Sequence, residues 1–147
     1  MTLSHDLDLP VGKSENGEVR RAFVDKLFDD FTNGRIDECV AAFTEDLRME
    51  VPWQAPGMTR KCRSREELHA LLTWTYTNFV PFAISASQSW ELDPDGLVVL
   101  YATDAVRERT GRPYQNEYVG LFFFEDGKIS RWVEYHNPMI TIVALGR

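Results

Sequence analysis

The chain has 147 residues and a formal net charge of −7, with 44% hydrophobic and 27% charged residues. That length and composition predict one globular domain with a substantial core. The acidic balance argues against sequence-independent binding of nucleic acid and against docking on an anionic membrane, because both need a basic surface. The longest apolar run, Val119 to Phe124, is too short to span a bilayer.

The first residues do not resemble a folded element or a targeting signal. Residues 1–15 are predicted to form a flexible tail, since Pro10 and Gly12 interrupt regular structure, and residues 16–147 are predicted to form a single domain. MTLSHDLDLP lacks the basic start and the long apolar stretch of a secretory signal. Cys39 and Cys62 make no disulfide framework. We therefore expect a cytoplasmic protein with free thiols.

The first half of the chain carries three helical patterns and one strand. Apolar residues at helical spacing predict a helix over 16–34 and a short one over 37–43. Residues 47–52, LRMEVP, alternate apolar and polar side chains as a strand does. Ser64, followed three residues later by Glu67, forms a capping box that predicts the start of a third helix.

The second half predicts strands alone. Four runs rich in β-branched and aromatic residues are separated by the turn signals DPDG, RTGRP and EDG. These runs are ISASQSWEL, VVLYATDAVRE, YQNEYVGLFFF and KISRWVEYHN. Two helices, a strand, a third helix and four antiparallel strands predict an α+β fold with helices on one face of a curved sheet.

Four stretches carry a resemblance to a known superfamily. FTEDLRMEVPWQAPG and RSREELHALL resemble the first strand and the third helix of nuclear transport factor 2-like proteins. TGRPYQNEYVGLFFFEDGKI resembles the hairpin of the SnoaL-like branch, and EYHNP resembles the last strand of the PhzA/PhzB proteins of phenazine biosynthesis. The resemblance implies a mixed, largely antiparallel sheet that wraps around helices to form a cone-shaped cavity.

The resemblance also places residues in that cavity. The last-strand glutamate of PhzA/PhzB-like proteins falls on Glu134, and a pocket tyrosine falls on or beside Tyr114. SnoaL-like cyclases use Asp or His in the same cavity, which makes Asp104 a candidate. The catalytic side chains of ketosteroid isomerase are all replaced here, so isomerisation by that triad is not expected.

The turn between the last two strands decides which polar residues share a face. Strand alternation puts Glu134 and His136 on the same face. A two-residue turn would place Glu134 opposite Val119, whereas a three-residue turn with a bulge at Gly127 would place it opposite Tyr118. We expect the second register, because it gathers the polar residues of both strands: Tyr114, Asn116, Tyr118, Glu134 and His136.

A carboxylate among aromatic rings is poorly solvated, and this suits it to general acid–base work. Tyr114 and Asn116 could hydrogen-bond a substrate carbonyl and stabilise an oxyanion. The catalytic candidates are therefore Glu134, Tyr114, Asn116, Asp104 and His136. The expected substrate-binding residues are Trp53, Trp74, Phe82, Trp90, Tyr118 and Trp132.

These features predict a cofactor-independent acid–base enzyme of the cyclase, isomerase, dehydratase or condensation type. Its expected substrate is a small hydrophobic or aromatic metabolite of secondary metabolism. The alternative is a non-catalytic ligand-binding or dimerisation module of the same fold. Glycine-rich phosphate loops, nucleophile elbows and HExxH motifs are absent from the sequence, and we expect neither metal nor cofactor. The resemblance implies a homodimer through the outer sheet face, where Gln115, Glu117 and Phe123 would lie.

Overall fold

A computed structural model describes residues 15–146 of the chain. In chain order the elements are α1 (Glu15–Thr32), α2 (Ile36–Ala41), β1 (Phe43–Glu50), β2 (Lys61–Cys62), α3 (Arg65–Asn78), β3 (Ala83–Leu92), β4 (Gly96–Arg107), β5 (Arg112–Glu125), β6 (Lys128–His136) and α4 (Pro138–Ala144). The tail predicted for residues 1–15 lies outside the described residues, except for Glu15, which begins α1.

The six strands form one mixed sheet in the order β2-β1-β6-β5-β4-β3. β1 runs parallel to β6, and the other neighbouring strands are antiparallel. The sheet does not close on itself, since β2 and β3 are its two edges. This is the α+β architecture predicted from the sequence, with helices packed on the inner face of the sheet.

The apolar face of α1 fills the space over the sheet. Val24, Leu27, Phe28 and Phe31 recur at helical spacing and are all buried. The ring of Phe28 lies 4.8 Å from that of Tyr101 on β4. The helix therefore covers the centre of the sheet and holds Tyr101 in place from above.

The capping box of the third helix is confirmed. Ser64 Oγ accepts a hydrogen bond from the Glu67 N–H at 3.1 Å, and Glu67 Oε2 accepts one from the Arg63 N–H at 2.8 Å. Residues 63 to 67 thus satisfy backbone donors that the first turn of a helix leaves unpaired. The helix begins where its sequence predicts.

One boundary differs from the prediction, and two short elements, β2 and α4, were not predicted. Phe43 begins β1 instead of ending α2, because its fully buried ring packs 6.0 Å from Trp132 on the neighbouring strand. The two-residue strand β2 lies between the predicted first strand and third helix, where no strand was predicted. The helix α4 was predicted as part of the strand region, although Asn137 caps it by accepting from the Met139 N–H at 3.0 Å. Pro138 then occupies the first turn, where its missing N–H costs nothing.

The expected three-residue turn between β5 and β6 is wrong. Asp126 and Gly127 both have positive φ, 52° and 77°, which allows a tight two-residue hairpin turn that pairs Glu125 with Lys128. A bulge follows at Ser130, because Phe124 pairs with Ile129 while Phe123 pairs with Arg131.

The bulge sets the face of every later residue on β6. It turns both Ile129 and Trp132 towards the core, although they are three residues apart. Glu134 consequently pairs with Gly120, and neither with Tyr118 as expected nor with Val119. The pairing was mispredicted by two residues, so the expected face is nevertheless the correct one.

Candidate active site

A cavity of about 80 Å³ lies on the inner face of the sheet, against α1, α3 and α4. One water molecule needs roughly 15 Å³ by the same measure, so the cavity has room for a small ligand. Its apolar wall consists of Phe31, Met49, Val51, Met58, Leu71, Leu72, Phe79, Phe82 and Ile84. Its remaining wall carries polar atoms and consists of Gln54, Thr75, Thr103, Tyr114, Tyr118, Trp132, Glu134, His136 and Thr141.

A directed chain of hydrogen bonds ends on the Glu134 carboxylate. Trp132 Nε1 donates to the Tyr101 hydroxyl at 3.2 Å, and that hydroxyl donates to Glu134 Oε1 at 2.6 Å. An indole N–H can only donate, so the Tyr101 oxygen must accept it and has its single proton left for Glu134. The carboxylate is thereby held by one oxygen, while Oε2 has no hydrogen-bond partner among residues 15–146.

Gly120 makes room for this chain. It lies opposite Glu134 on β5, and a Cβ atom there would be 2.6 Å from Tyr101 Cε1 and 3.0 Å from the Tyr101 hydroxyl. Tyr101 can therefore lie across the strand and reach the carboxylate. Sequence reasoning did not identify Tyr101 as a site residue. Its role depends on the space that Gly120 leaves on the next strand, which the sequence of β4 alone does not indicate.

Three hydroxyl groups form a second cluster on the cavity wall. The Tyr114 and Tyr118 hydroxyls are 2.6 Å apart, and Thr103 Oγ1 lies 3.0 Å from the Tyr118 hydroxyl. Tyr118 also stacks on Tyr101, with ring centroids 4.9 Å apart. The two clusters are therefore joined by an aromatic stack that spans β4 and β5.

Burial controls the protonation of these phenols. Burial raises the pKa of Tyr101 and of Tyr118 well above the ordinary value, and the nearby Glu134 charge raises both further. Burial also raises the pKa of Tyr114, against the lowering effect of its hydrogen bond with Tyr118. All three hydroxyls keep their protons at neutral pH and act as hydrogen-bonding groups, not as bases.

His136 carries unused hydrogen-bonding capacity. Both of its ring nitrogens are buried without a partner among the described residues, and the ring packs edge-on against Tyr118 at 5.5 Å. Nδ1 lies 3.8 Å from Glu134 Oε2, beyond hydrogen-bond distance. Because unpaired buried polar atoms are costly, this imidazole is a site that a ligand atom or a water would satisfy.

Asn116 is near the candidate site but does not line the cavity. Its Nδ2 donates to the Tyr114 hydroxyl at 3.3 Å and to the Asn137 carbonyl at 3.1 Å. Its Oδ1 accepts from the Glu117 N–H at 2.9 Å. The expected contact with a substrate carbonyl is therefore wrong, since the amide is used to orient Tyr114 and to tie β5 to the residue that caps α4.

Asp104 was a catalytic candidate and lies on the outer face of the sheet. It is exposed and accepts a hydrogen bond from Gln115 Nε2 at 3.2 Å. Its neighbours Thr103 and Ala105 are buried on the inner face instead. The candidate is wrong because β4 is apolar on both faces, so alternation alone did not determine its register.

The structure brings half of the expected binding residues to the cavity. Phe82, Tyr118 and Trp132 line it, as expected. Trp53 is 60% exposed and packs edge-on against Tyr135, 4.9 Å away. Trp74 borders a separate groove.

Trp90 is the third expected tryptophan that does not reach the cavity. It pairs with Val98, whose neighbours Leu97 and Val99 are buried on the inner face, so Trp90 and Val98 share the outer one. A bulge on β3 between Ala86 and Gln88 reverses the alternation of the following residues. The assignment of Trp90 to the cavity is therefore wrong.

Among residues 15–146, no three His, Cys, Asp or Glu side chains are grouped as metal ligands. In the same part of the chain, no helix has the length and apolar character required to cross a membrane. Burial raises the pKa of Cys39 to about 12 and that of Cys62 to about 11, so both thiols are protonated at neutral pH.

A family model described as a SnoaL-like domain matches residues 24–132, well over half of the chain. The chain belongs to the SnoaL-like domain family. The match confirms the resemblance drawn from the sequence motifs. Glu134 and His136 follow directly after the matched range of this SnoaL-like chain, so their roles depend on the geometry above.

Solved structures share the fold of this SnoaL-like chain. A candidate isomerase from Bacillus subtilis has a TM-score of 0.81 at 17% identity and covers 90% of this chain and 96% of that one. A phenazine biosynthesis-related protein from Pseudomonas aeruginosa has a TM-score of 0.73 at 21% identity, with 90% and 88% covered. A nuclear transport factor 2-like protein of unknown function from Burkholderia pseudomallei has a TM-score of 0.77 at 17% identity, with 91% and 100% covered. No curated protein matches the chain by sequence.

Proposed function

We propose that this SnoaL-like domain is a cofactor-independent acid–base enzyme that acts on a small hydrophobic or aromatic metabolite. The reaction is of the cyclase, isomerase, dehydratase or condensation type. The observation that carries the proposal is the Glu134 carboxylate, which Tyr101 orients through Oε1 and which is free at Oε2 on the wall of a largely apolar cavity.

Glu134 is the group that moves the proton. Its side chain is 13% exposed, so few water molecules compete for Oε2. A carboxylate that is fixed by one oxygen presents the lone pairs of the other in a defined direction. Oε2 removes a proton from carbon next to a substrate carbonyl and returns it at a second position.

His136 supports the substrate oxygen. A neutral imidazole has one N–H donor and one acceptor nitrogen, and in His136 neither is used by the described residues. A carbonyl oxygen in the cavity accepts this N–H bond, and the enolate that forms on proton removal accepts it more strongly. The proposed roles are thus proton transfer for Glu134 and oxyanion stabilisation for His136.

The cavity wall defines the substrate class. Phe31, Phe79 and Phe82 supply flat apolar surface, and Phe31 and Phe82 stack with centroids 4.7 Å apart. Six of the nine polar side chains of the wall lie on β4, β5 and β6. A small carbonyl compound with an aromatic or alicyclic body satisfies both sides.

The names of the structural relatives agree with this chemistry. The relative from Bacillus subtilis is a candidate isomerase, and the one from Pseudomonas aeruginosa is related to phenazine biosynthesis. They support a reaction in secondary metabolism but do not choose among the four reaction types. The cytoplasmic location stays a prediction.

Exchange of carbon-bound protons in deuterium oxide tests the proposal. The probes are β-tetralone and phenylacetone, two ketones whose acidic protons lie on the carbon between the carbonyl and an aromatic ring. Glu134→Gln is expected to slow enzyme-dependent exchange by about 10²-fold or more, because it removes the base. Affinity for the ketone should stay within about tenfold of the wild type, since shape and hydrogen bonding are largely kept.

Glu117→Gln is the matched control, because Glu117 lies exposed on the outer face of β5. It should exchange at the wild-type rate. Ketone binding in the cavity with no exchange above the buffer rate would overturn the catalytic proposal. That result would favour the non-catalytic ligand-binding module.

A further inference from the structure

A second recess lies beside the cavity, between α3 and the end of β4. It is lined by Gly57, Met58, Thr59, Lys61, Cys62, Glu67, Ala70, Leu71, Trp74, Asn78, Arg107, Arg109 and Leu145. We call it the Arg107 groove. It shares Met58 and Leu71 with the wall of the cavity, so the two spaces adjoin.

Arg107 is a buried cation that has no carboxylate partner within residues 15–146. It is 7% exposed, and its guanidinium lies 5.4 Å from the ring of Trp74 and 5.5 Å from that of Phe79. Nη1 donates to the backbone and side-chain oxygens of Asn78, at 3.2 and 2.8 Å. No carboxylate among residues 15–146 forms an ion pair with it.

One edge of the Arg107 guanidinium is unused. Nε is buried without a partner among the described residues, and Nη2 has no hydrogen bond there either. Nε and Nη2 form the edge that donates two parallel hydrogen bonds to a carboxylate. The two hydrogen bonds to Asn78, the last residue of α3, account for the position of Nη1. They give no role to the edge formed by Nε and Nη2.

The charge around the groove is opposite to that of the whole protein. Its wall carries the cations Lys61, Arg107 and Arg109 and a single carboxylate, Glu67. Glu67 is already engaged, because its Oε2 accepts from the Arg63 N–H at 2.8 Å. A basic recess on a protein of net charge −7 attracts an anion.

We infer that the Arg107 groove binds the carboxylate of the substrate, whose apolar body passes between Met58 and Leu71 into the cavity. The substrate class is then an apolar aromatic acid that also carries a carbonyl group. Trp74 and Phe79 stack against the guanidinium and keep water from it. The carbonyl group of this substrate rests on the proposed function, whereas the binding of a carboxylate in the groove does not.

The test compares naphthylacetate with naphthylacetamide, which share an aromatic body and differ in charge. The acid is expected to bind the wild type about tenfold more tightly than the amide at low salt, and added salt should reduce that preference. Arg107→Gln should remove the preference and leave amide affinity within about twofold. Arg48→Gln, an exposed arginine on β1, is the matched control and should change neither affinity.

Equal affinity for acid and amide, or a preference that survives Arg107→Gln, would overturn the inference. If Arg107→Gln does not fold, the double change Lys61→Gln and Arg109→Gln should still lower acid affinity by about two- to fivefold. An unchanged affinity in that folded variant would count equally against the groove.

Methyl NMR locates the bound ligand without depending on the proposed reaction. Bound naphthylacetate should shift the Met58 methyl of the shared wall and the Leu72 and Ile84 methyls, which line the cavity alone. A shift at Met58 without shifts at Leu72 and Ile84 would overturn the path into the cavity. Naphthylacetate carries no ketone, so its binding needs no proton transfer by Glu134, and a failure of ketone exchange leaves this result intact.

Discussion

At the scale of single residues, the site is organised around a tyrosine that makes no contact with the cavity itself. Tyr101 is fully buried, yet it fixes which oxygen of Glu134 is free. Strand alternation and the family resemblance predicted that Glu134, Tyr114 and His136 share one face, and the structure places all three on the cavity wall, although Glu134 pairs with Gly120 and not with Tyr118. Tyr101 could not be predicted in the same way, because its role depends on the open space that Gly120 leaves on the next strand.

The buried phenols predict a loss of stability in alkali. Burial raises the folded-state pKa of Tyr101, Tyr114 and Tyr118, whereas the unfolded chain releases these protons near pH 10. Their contribution is therefore fully present below about pH 9. Above about pH 10 the free energy of unfolding should fall by up to roughly 1.4 kcal/mol per pH unit for each tyrosine.

Urea denaturation between neutral and alkaline pH measures this slope, with tyrosinate absorbance recorded alongside. Tyr118→Phe should make the decline shallower, because one buried phenol is removed. Complete ionisation of the five tyrosines in a chain that retains its native circular dichroism would contradict the expected protection of the buried three.

At the scale of elements, the hairpin of β5 and β6 decides whether there is a site at all. The sequence indicated a turn at EDG but not the bulge at Ser130, where Oγ donates to the Phe123 carbonyl at 3.2 Å. Bulges depend on which residues the opposite strand and the core accept, and a single strand does not contain that information. The same limit explains why Trp90, which follows the bulge on β3, was assigned to the wrong face. Asp104 was misplaced for another reason, because β4 is apolar on both faces.

Gly120→Ala tests the link between the two strands. The added methyl would collide with Tyr101, so we expect a loss of about 1–3 kcal/mol in the free energy of unfolding and slower ketone exchange. Gly111→Ala is the control, since its positive φ brings strain but its surroundings are open. Wild-type exchange in a folded Gly120→Ala variant would show that the Tyr101 contact is dispensable.

At the scale of the whole molecule, the outer sheet face carries exposed apolar side chains. Val119 is 39% exposed and pairs with Tyr135, which in turn contacts Trp53. Gln115 and Glu117 are exposed on this face as predicted. Such a patch is typical of a subunit interface, and the homodimer expected from the resemblance would bury it.

Val119→Lys is therefore expected to convert a dimer to a monomer, because it places a charge in the middle of that patch. Light scattering at micromolar concentration measures the change in mass. Val19→Lys is the control, since Val19 is exposed on α1, which packs on the inner face of the sheet and not on the outer face that carries Val119. A wild-type protein that is monomeric under these conditions would contradict the predicted dimer.

The central claim is that an apolar carbonyl ligand meets Glu134 inside the cavity. Carbon-13 NMR of the glutamate carboxyl groups during titration with β-tetralone tests it most directly, with the Glu134 signal assigned from Glu134→Gln. We predict that the Glu134 signal shifts in step with ligand saturation while that of the exposed Glu117 stays fixed. Saturation by the ligand with no movement of the Glu134 signal would contradict the claim.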